Sequence, residues 1–306
     1  MTFSTAHPRS GISSAWRRFR RHRLAVVSLW MLALLFAVVV PAPALEAMLG
    51  LDADAVNLFA RMAPPSAAHW MGTDELGRDL LLRLLHGGRV SLLVGFTAAV
   101  AAAVIGTTLG LISGYFGGRV DAIVMRFADG VISLPLLPLL IVLAAIDPGK
   151  LGLPEEITGS ESFSLYRIVV IIALVGWPTV ARLVRAATLS LRQREFVLIA
   201  LAQGFGSARI MFRHILPNTA SPVLVATTLT VGNVILFESV LSFLGLGIQP
   251  PVPSWGNMLT GAQDLISEAP ALAMWPGTLI FLTVISFNLL GDGLQAALDP
   301  RSRRVS

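Results

Sequence analysis

Six apolar runs are the feature of this sequence that most restricts its fold. Each is long enough, or nearly so, to cross a hydrocarbon core about 30 Å thick. They do not show the regular alternation of polarity that marks the strands of a membrane β-barrel. The sequence therefore predicts an all-α, polytopic membrane protein with about six transmembrane helices. The runs are Leu24 to Leu45, Val90 to Ser113, Val131 to Ile146, Ile168 to Ala187, Pro222 to Gly245 and Trp275 to Leu294.

The composition agrees with a bilayer as the solvent. Of 306 residues, 55% are hydrophobic and 13% are charged, a balance too apolar for the surface of an ordinary soluble domain. A net charge of +5 can indicate nucleic acid, but the arginines stand at the edges of apolar runs. We therefore expect membrane lipid and no nucleic acid as a partner. The absence of cysteine excludes disulfides and thiol chemistry.

Two of the runs are irregular. The third is short and contains Pro135 and Pro138, which predicts an earlier start near Phe127, a tilt or a kink. The first follows a basic segment and contains, near its end, the tripeptide Ala42 to Ala44, which resembles a signal-peptidase site. Its uninterrupted part, Leu24 to Val40, is longer than a signal peptide needs, so we favour a retained span.

The distribution of basic residues predicts the orientation. With the N-terminus in the cytoplasm, 17 of the 23 basic residues fall in cytoplasmic segments, as the positive-inside rule expects, and both termini are cytoplasmic. The predicted organisation is a basic cytoplasmic tail (1–23), a first span (24–45), an extracytoplasmic segment (46–89), a core of five spans (90–296) with a cytoplasmic loop (192–218), and a cytoplasmic tail (297–306).

Small residues and leucines suggest two local features. Gly106, Gly110 and Gly114 lie four residues apart in the second run, a spacing that lets another helix approach closely. Just before that run, the pattern favours a short interfacial helix capped by Thr73 or Asp74. Four leucines form its apolar side and two glycines end it: Leu80, Leu81, Leu84, Leu85, Gly87 and Gly88.

The residues predict no catalytic centre, metal site or cofactor in this chain. Lys150 is the only lysine and is followed by Leu151, so the chain has no P-loop for ATP. The five histidines lack metal-ligand spacing, and no G-x-S-x-G nucleophile motif occurs.

One carboxylate interrupts the fifth run. Glu238 lies among apolar residues with Asn233 nearby, and a charge inside a span is costly enough to need a reason. One interpretation places both residues on a translocation path or at a gate. The other, which stays open, places Glu238 near the outer interface or in a pair with a neighbouring helix.

The stretch REFVLIALAQGFGSARIMFRHILPN, between the fourth and fifth runs, predicts a helical hairpin. Gly204 and Gly206 provide the reversal, Ser207 caps a short helix, and Pro217 ends it. Such an apolar ridge beside arginines suits either a lipid surface or a groove on a partner protein. The ridge consists of Ala208, Met211, Phe212, Ile215 and Leu216.

This stretch resembles the cytoplasmic EAA loop of ABC importer permeases. Motif positions are occupied by Glu195, Ala200, Gly204, Ile215, Leu216 and Pro217, whereas Ile199 replaces the first alanine. Four further stretches resemble the C-type permeases of the dipeptide, oligopeptide and nickel branch: MGTDELGRDLLLRLLHGGRVSLLVG, GYFGGRVDAIVMRFAD, LSFLGLGIQPPVPSWGNML and FNLLGDGLQAALDPR.

The resemblance implies a type I ABC importer permease in the bacterial inner membrane. It would work with a second permease, two cytoplasmic ATPases that bind ATP and Mg²⁺, and an extracytoplasmic binding protein. Peptides would be the substrate class, with nickel chelates, opines or other small solutes as alternatives. In the loop, Ala208, Met211, Ile215 and Leu216 would seat in an ATPase groove, and Glu195 and Gly204 would hold its shape. A self-contained secondary transporter or channel, which would couple through intramembrane charges, is the rival hypothesis.

Overall fold

The computed structural model describes residues 10–152, 154–158, 160, 162–262 and 264–298, and the regular elements within them are helices. The predicted tails fall partly outside this range, at residues 1–9 and 299–306. The α-helices are α1 (Ser10–Arg21), α2 (Arg23–Val39), α3 (Ala42–Leu49), α4 (Leu80–Phe116), α5 (Gly118–Ser133), α6 (Leu136–Ala145), α7 (Glu155–Thr158), α8 (Phe163–Arg192), α9 (Glu195–Ala202), α10 (Ser207–Ile210), α11 (Leu216–Phe243) and α12 (Ala271–Leu298).

Four helices are long and apolar enough to cross a membrane on their own: α4, α8, α12 and the continuous helix from Ser207 to Phe243. Two bent pairs, α1 with α2 and α5 with α6, bring the number to six if each pair counts as one span. The all-α membrane architecture expected from the apolar runs is thereby confirmed.

The bend in the third predicted span has a proline at its centre. Helices α5 and α6 meet at 90°, and Leu134, the residue before Pro135, is extended with φ −81° and ψ 141°. A proline ring excludes the helical conformation from the residue that precedes it. Pro138 lies in the first turn of α6, where a missing N–H leaves no hydrogen bond unmade.

Helix α4 begins ten residues before the predicted second span. The carboxylate of Asp79 caps it by accepting a hydrogen bond from the N–H of Leu82 at 2.9 Å. The helix then runs through Gly87 and Gly88, so the predicted short interfacial helix ending at these glycines was wrong. A glycine costs a helix interior only about 1 kcal/mol, and here both glycines pack closely against residues 254 and 255.

The helix that carries the fifth span also differs from expectation. Ser207 is its first residue and Gly206 is its cap, so the predicted Ser207 cap was wrong. Pro217 does not end the helix, because a π-helical turn at Met211–Ile215 leads directly into α11. Pro217 is thus in the first turn of α11, where the fixed φ of proline is favourable and its missing N–H is tolerated.

Helix α4 is the centre of the bundle. Its most extensive packing is with α8, and it also packs against α11, which in turn packs against α12. α4 and α8 end where the continuous helix from Ser207 begins, and we call this the loop end. The end of α12 lies there too, because Leu298 lines one groove together with Leu216. The start of α2 is beside it, since a Cβ atom on Gly293 would be 2.2 Å from the Cβ of Ala25.

Candidate functional site

The 192–218 loop reverses the chain at the loop end. Helix α9 begins at Glu195, which places a carboxylate in its first turn, where the helix dipole favours negative charge. Gly204 has φ +79° and would meet no neighbour if it carried a Cβ atom, so its backbone conformation alone requires glycine. The N–H of Phe205 donates to the carbonyl of Ala200 at 3.1 Å and closes the turn. Gly206, with φ −66°, adopts an ordinary conformation.

The inner face of the loop packs into a small hydrophobic cluster of this chain. Met211 and Ile215 are only 8% and 0% exposed, so the prediction that they form an exposed ridge was wrong. They point inward because their π-helical turn continues into α11 and lies against α4 and α8. The buried members of the cluster are Leu111, Tyr115, Val180, Val184, Val197, Ala200, Ile210, Met211 and Ile215.

The outer face of the loop is apolar and exposed. Among the loop residues singled out from the sequence, Ala208 and Pro217 are exposed on this face and Leu216 is half-buried. The guanidinium of Arg209 lies 5.2 Å from the ring centroid of Phe205 and so places a cation beside the apolar side chains. This face keeps Ala208 and Phe212 of the predicted ridge, adds side chains of α9, and is the apolar part of the loop that is open to contact. Its large side chains, 44% to 59% exposed, are Leu198, Ile199, Leu201 and Phe212.

Charged side chains join the helices beneath the loop. Arg185 of α8 binds both carboxylate oxygens of Asp121 on α5, with its Nη2 2.5 Å from Oδ2. Ser113 of α4 donates to the same carboxylate. Arg182 pairs with Asp129, which lies about two helical turns after Asp121 on α5. α4, α5 and α8 are therefore connected at the end of the bundle that carries the loop.

The seam between α4 and α8 depends on glycine. Cβ atoms built on Gly106 and Gly110 would lie 2.6 Å and 2.5 Å from carbonyl oxygens of α8, and one on Gly114 would lie 2.7 Å from the Cβ of Thr188. A side chain at any of the three positions would push α8 away. The structure thus places all three glycines along a single helix contact.

Glu238 lies in the core of the chain, fully buried. Its Oε2 accepts a hydrogen bond from Ser91 Oγ at 3.1 Å and its Oε1 accepts one from Ser242 Oγ at 2.7 Å. Asn233 is exposed on a different side of α11, so the structure does not bring the two together. In this conformation Glu238 lines no surface, and its hydrogen bonds join two helices.

Each of the two serine hydroxyls also accepts a hydrogen bond from the backbone of the loop between α11 and α12. Ser91 Oγ accepts from the N–H of Trp255 at 3.2 Å, and Ser242 Oγ accepts from the N–H of Ile248 at 3.0 Å. The carboxylate of Glu238 therefore holds two backbone groups of this loop through two hydroxyls. A buried carboxylate needs such partners, because an unpaired one would be strongly unfavourable.

An open apolar groove of about 720 Å³ runs along the exposed side of α11. Phe96 and Val100 of α4 form one wall and Phe287 of α12 contributes to another. Only three hydroxyl side chains interrupt the apolar lining: Ser221, Thr227 and Thr228. An open, largely apolar groove is suited to contact with another helix.

Comparison with protein families identifies this architecture. Residues 106–304 match the family described as the binding-protein-dependent transport system inner membrane component, and residues 11–65 match the N-terminal transmembrane domain of oligopeptide transport permease C. The chain belongs to this family of permeases. It is accordingly a multi-pass inner membrane protein of the ABC importer class, and the all-helical bundle agrees with that assignment.

Curated relatives match the permease over nearly its whole length. It is 40% identical to the dipeptide transport system permease protein DppC of Alkalihalophilus pseudofirmus, over 94% of this chain and 90% of the relative. It is 42% identical to the glutathione transport system permease protein GsiD of Pectobacterium atrosepticum, over 94% and 90%. The oligopeptide transport system permease protein OppC of Bacillus subtilis is 37% identical, over 95% and 91%.

Trp255 is a residue of the permease that sequence reasoning missed. It is fully buried, and its indole N–H donates to the carbonyl of Leu84 at 2.9 Å. Gly88 provides the space, because a Cβ atom there would lie 2.7 Å from the indole ring. The motif LSFLGLGIQPPVPSWGNML contains this tryptophan, but the sequence does not reveal that α4 is its partner.

The motif MGTDELGRD folds the segment before α4 around buried charges. Asp74 accepts hydrogen bonds from the N–H groups of Leu76 and Arg78, both at 2.9 Å, and from the guanidinium of Arg78 at 2.7 Å. Arg83, only 5% exposed, pairs with Asp54 at 2.7 Å. Within the described residues, no three His, Asp or Glu side chains gather as a metal site.

Proposed function

We propose that this permease is one of two membrane subunits of an ATP-driven peptide importer. The relatives named as dipeptide, glutathione and oligopeptide permeases support the substrate class. The second membrane subunit would be a different permease that packs against the apolar groove along α11. An extracytoplasmic binding protein would deliver the peptide, and the chain itself would hold no cofactor.

The observation that carries this proposal is the two-sided 192–218 loop. Its outer face exposes Leu198, Ile199 and Phe212, while its inner face is buried against α4 and α8. A push on the outer face is therefore transmitted to those helices through packed side chains. Two partner ATPases, which bind ATP and Mg²⁺, would supply the push when they close, and the bundle would change between outward-facing and inward-facing states.

The proposed orientation places the loop end in the cytoplasm, with both termini there. Arginines support this assignment, because Arg192, Arg194, Arg209 and Arg213 all belong to the loop. The segment of residues 46–79 and the loop between α11 and α12 would then face the binding protein. Cysteine introduced on either side of the cysteine-free chain would report the orientation through an impermeant maleimide.

Docking is tested by aspartate substitution on the outer face. We expect the variant Leu198→Asp/Phe212→Asp to insert normally but to lose co-purification with the ATPases and ATP-dependent uptake, because a charge cannot be buried unpaired in an interface. Leu58→Asp is the control for ATPase co-purification, since Leu58 is equally exposed but belongs to the segment of residues 46–79, on the opposite side of the membrane from the ATPases. Normal ATPase binding by the loop variant, or ATP-independent transport by the permease alone, contradicts the proposal.

The substrate class has a separate test. The binding protein encoded with this permease is purified and its bound ligand is identified by native mass spectrometry. We expect a short peptide, and the same peptide should be taken up by proteoliposomes that contain the complete transporter. A nickel chelate or an opine as the ligand would refute the peptide assignment and leave the importer assignment intact.

A further inference from the structure

Helix α1 has a basic face that the transport function does not use. Arg17, Arg20 and Arg21 are exposed and lie within an arc of about 100° on a helix with 3.6 residues per turn. Phe19 lies on the opposite face and is only 4% exposed. The helix is therefore strongly amphipathic, with three cations on one face and an aromatic anchor on the other.

No carboxylate within the described residues pairs with that face. The first 45 residues contain neither aspartate nor glutamate. Within the part of the chain that the structure describes, Arg17, Arg20 and Arg21 form no ion pair. Three guanidinium groups are thus available to an external anion, and their positive charge attracts the phosphate of an anionic lipid surface.

The position of α1 matches the surface of a bilayer. It meets α2 at 93°, so when the apolar α2 crosses the membrane, α1 lies along its surface. Phe19 packs against Ala25 and Ala297 and ties α1 to the ends of α2 and α12. Trp16 is 53% exposed and stacks on Phe19, with ring centroids 5.7 Å apart. An exposed tryptophan on an amphipathic helix is typical of helices in the headgroup region of a bilayer.

We propose that the arginine face of α1 binds the headgroups of anionic glycerophospholipids at the membrane surface. The site goes beyond the proposed transport function and does not depend on the substrate. Its occupant is a lipid surface, because the helix is held at headgroup depth where α2 enters the bilayer. A basic residue near an anionic surface is worth about a fivefold gain in binding, so three arginines give a large preference for anionic over zwitterionic lipid.

The test uses the purified full-length permease and two probes, phosphatidylglycerol and phosphatidylcholine, each labelled on its acyl chain. Binding is followed by fluorescence anisotropy in mild detergent. We expect the wild type to prefer phosphatidylglycerol and the variant Arg17→Gln/Arg20→Gln/Arg21→Gln to lose most of that preference. The corresponding arginine-to-lysine variant should keep most of the preference, because charge rather than side-chain shape dominates.

The matched control removes three charges elsewhere. Arg61, Arg89 and Lys150 are exposed and lie outside the loop end, and their replacement by glutamine should leave the phosphatidylglycerol affinity unchanged. If the glutamine variant of α1 does not fold, as judged by helical content and gel filtration, the single variants Arg17→Gln and Arg20→Gln are measured. Wild-type affinity in the glutamine variants of α1, or an equal loss in the control, overturns the proposal.

Discussion

The indole of Trp255 covers Gly88 so closely that a Cβ atom on Gly88 would lie 2.7 Å from its Cζ2 atom. Val39 of α2 closes the other side of the same glycine, 3.1 Å from that Cβ position. The loop between α11 and α12 therefore reaches α4 only because residue 88 has no side chain. This contact joins three parts of the chain that are far apart in sequence.

Gly88→Ala should destabilise the permease despite the higher helix propensity of alanine. We expect a loss of about 1–3 kcal/mol from overpacking against Trp255, seen as a lower midpoint of thermal unfolding in detergent. Gly176→Ala is the control, because its Cβ would meet only Ala102 at 3.5 Å, an ordinary contact. An unchanged midpoint for Gly88→Ala would contradict the close packing.

The seam between α4 and α8 should be less tolerant than an open helix face. Gly110→Ala brings a methyl group within 2.5 Å of the carbonyl oxygen of Ala181, and backbone atoms cannot rotate away. We expect the free energy of unfolding to fall by about 1–3 kcal/mol, near the upper end of that range, because of overpacking. Gly277→Ala, at a position of α12 with no neighbour within 4 Å, should be neutral or stabilising. Equal unfolding midpoints for the two variants would argue against the seam.

The ion pair between Asp121 and Arg185 should contribute more to stability than its neighbour. Asp121 and Arg185 are 18% and 33% exposed, whereas Asp129 and Arg182 are 61% and 48% exposed. A double-mutant cycle of Asp121→Asn and Arg185→Gln should show a coupling free energy of about 1–3 kcal/mol. The cycle of Asp129→Asn and Arg182→Gln should show about 0–1 kcal/mol. A larger coupling free energy for Asp129 and Arg182 than for Asp121 and Arg185 would refute this ranking.

Removal of the Glu238 carboxylate should loosen the loop between α11 and α12. Glu238→Ala leaves the hydroxyls of Ser91 and Ser242 without an acceptor, which costs about 1–3 kcal/mol for each buried group. Glu238→Gln keeps a carbonyl acceptor and should be milder. Since the chain has no cysteine, Ala262→Cys, at a buried position, can report loop opening through maleimide labelling. We expect the cysteine at position 262 to be labelled faster in Glu238→Ala than in the otherwise wild-type protein. Identical labelling rates in both proteins and in Glu238→Gln would show that Glu238 does not hold the loop.

In the 192–218 loop, the turn could be predicted from the sequence, but the burial of individual side chains could not. The sequence predicted the turn at Gly204 because a positive φ is a local property of one residue. It assigned Met211 and Ile215 to an exposed ridge because their periodicity does not say which neighbour covers them. The structure buries both against α4 and α8, whose residues are remote in sequence. It leaves exposed Phe212, which the sequence also assigned to the ridge, and Leu198, which it did not.

The membrane class, the number of apolar runs and the location of the loop followed from the amino-acid sequence without any structure. These depend on local quantities, namely the length, hydropathy and flanking charge of each run. The contacts of Glu238 and Trp255, in contrast, became known from the packing of the folded chain. Ser91 is 147 residues from Glu238 and 164 residues from Trp255, and contacts at such separations arise from the packing of whole helices. No local pattern in one sequence specifies them, because the free energy of each contact depends on both partners being in place.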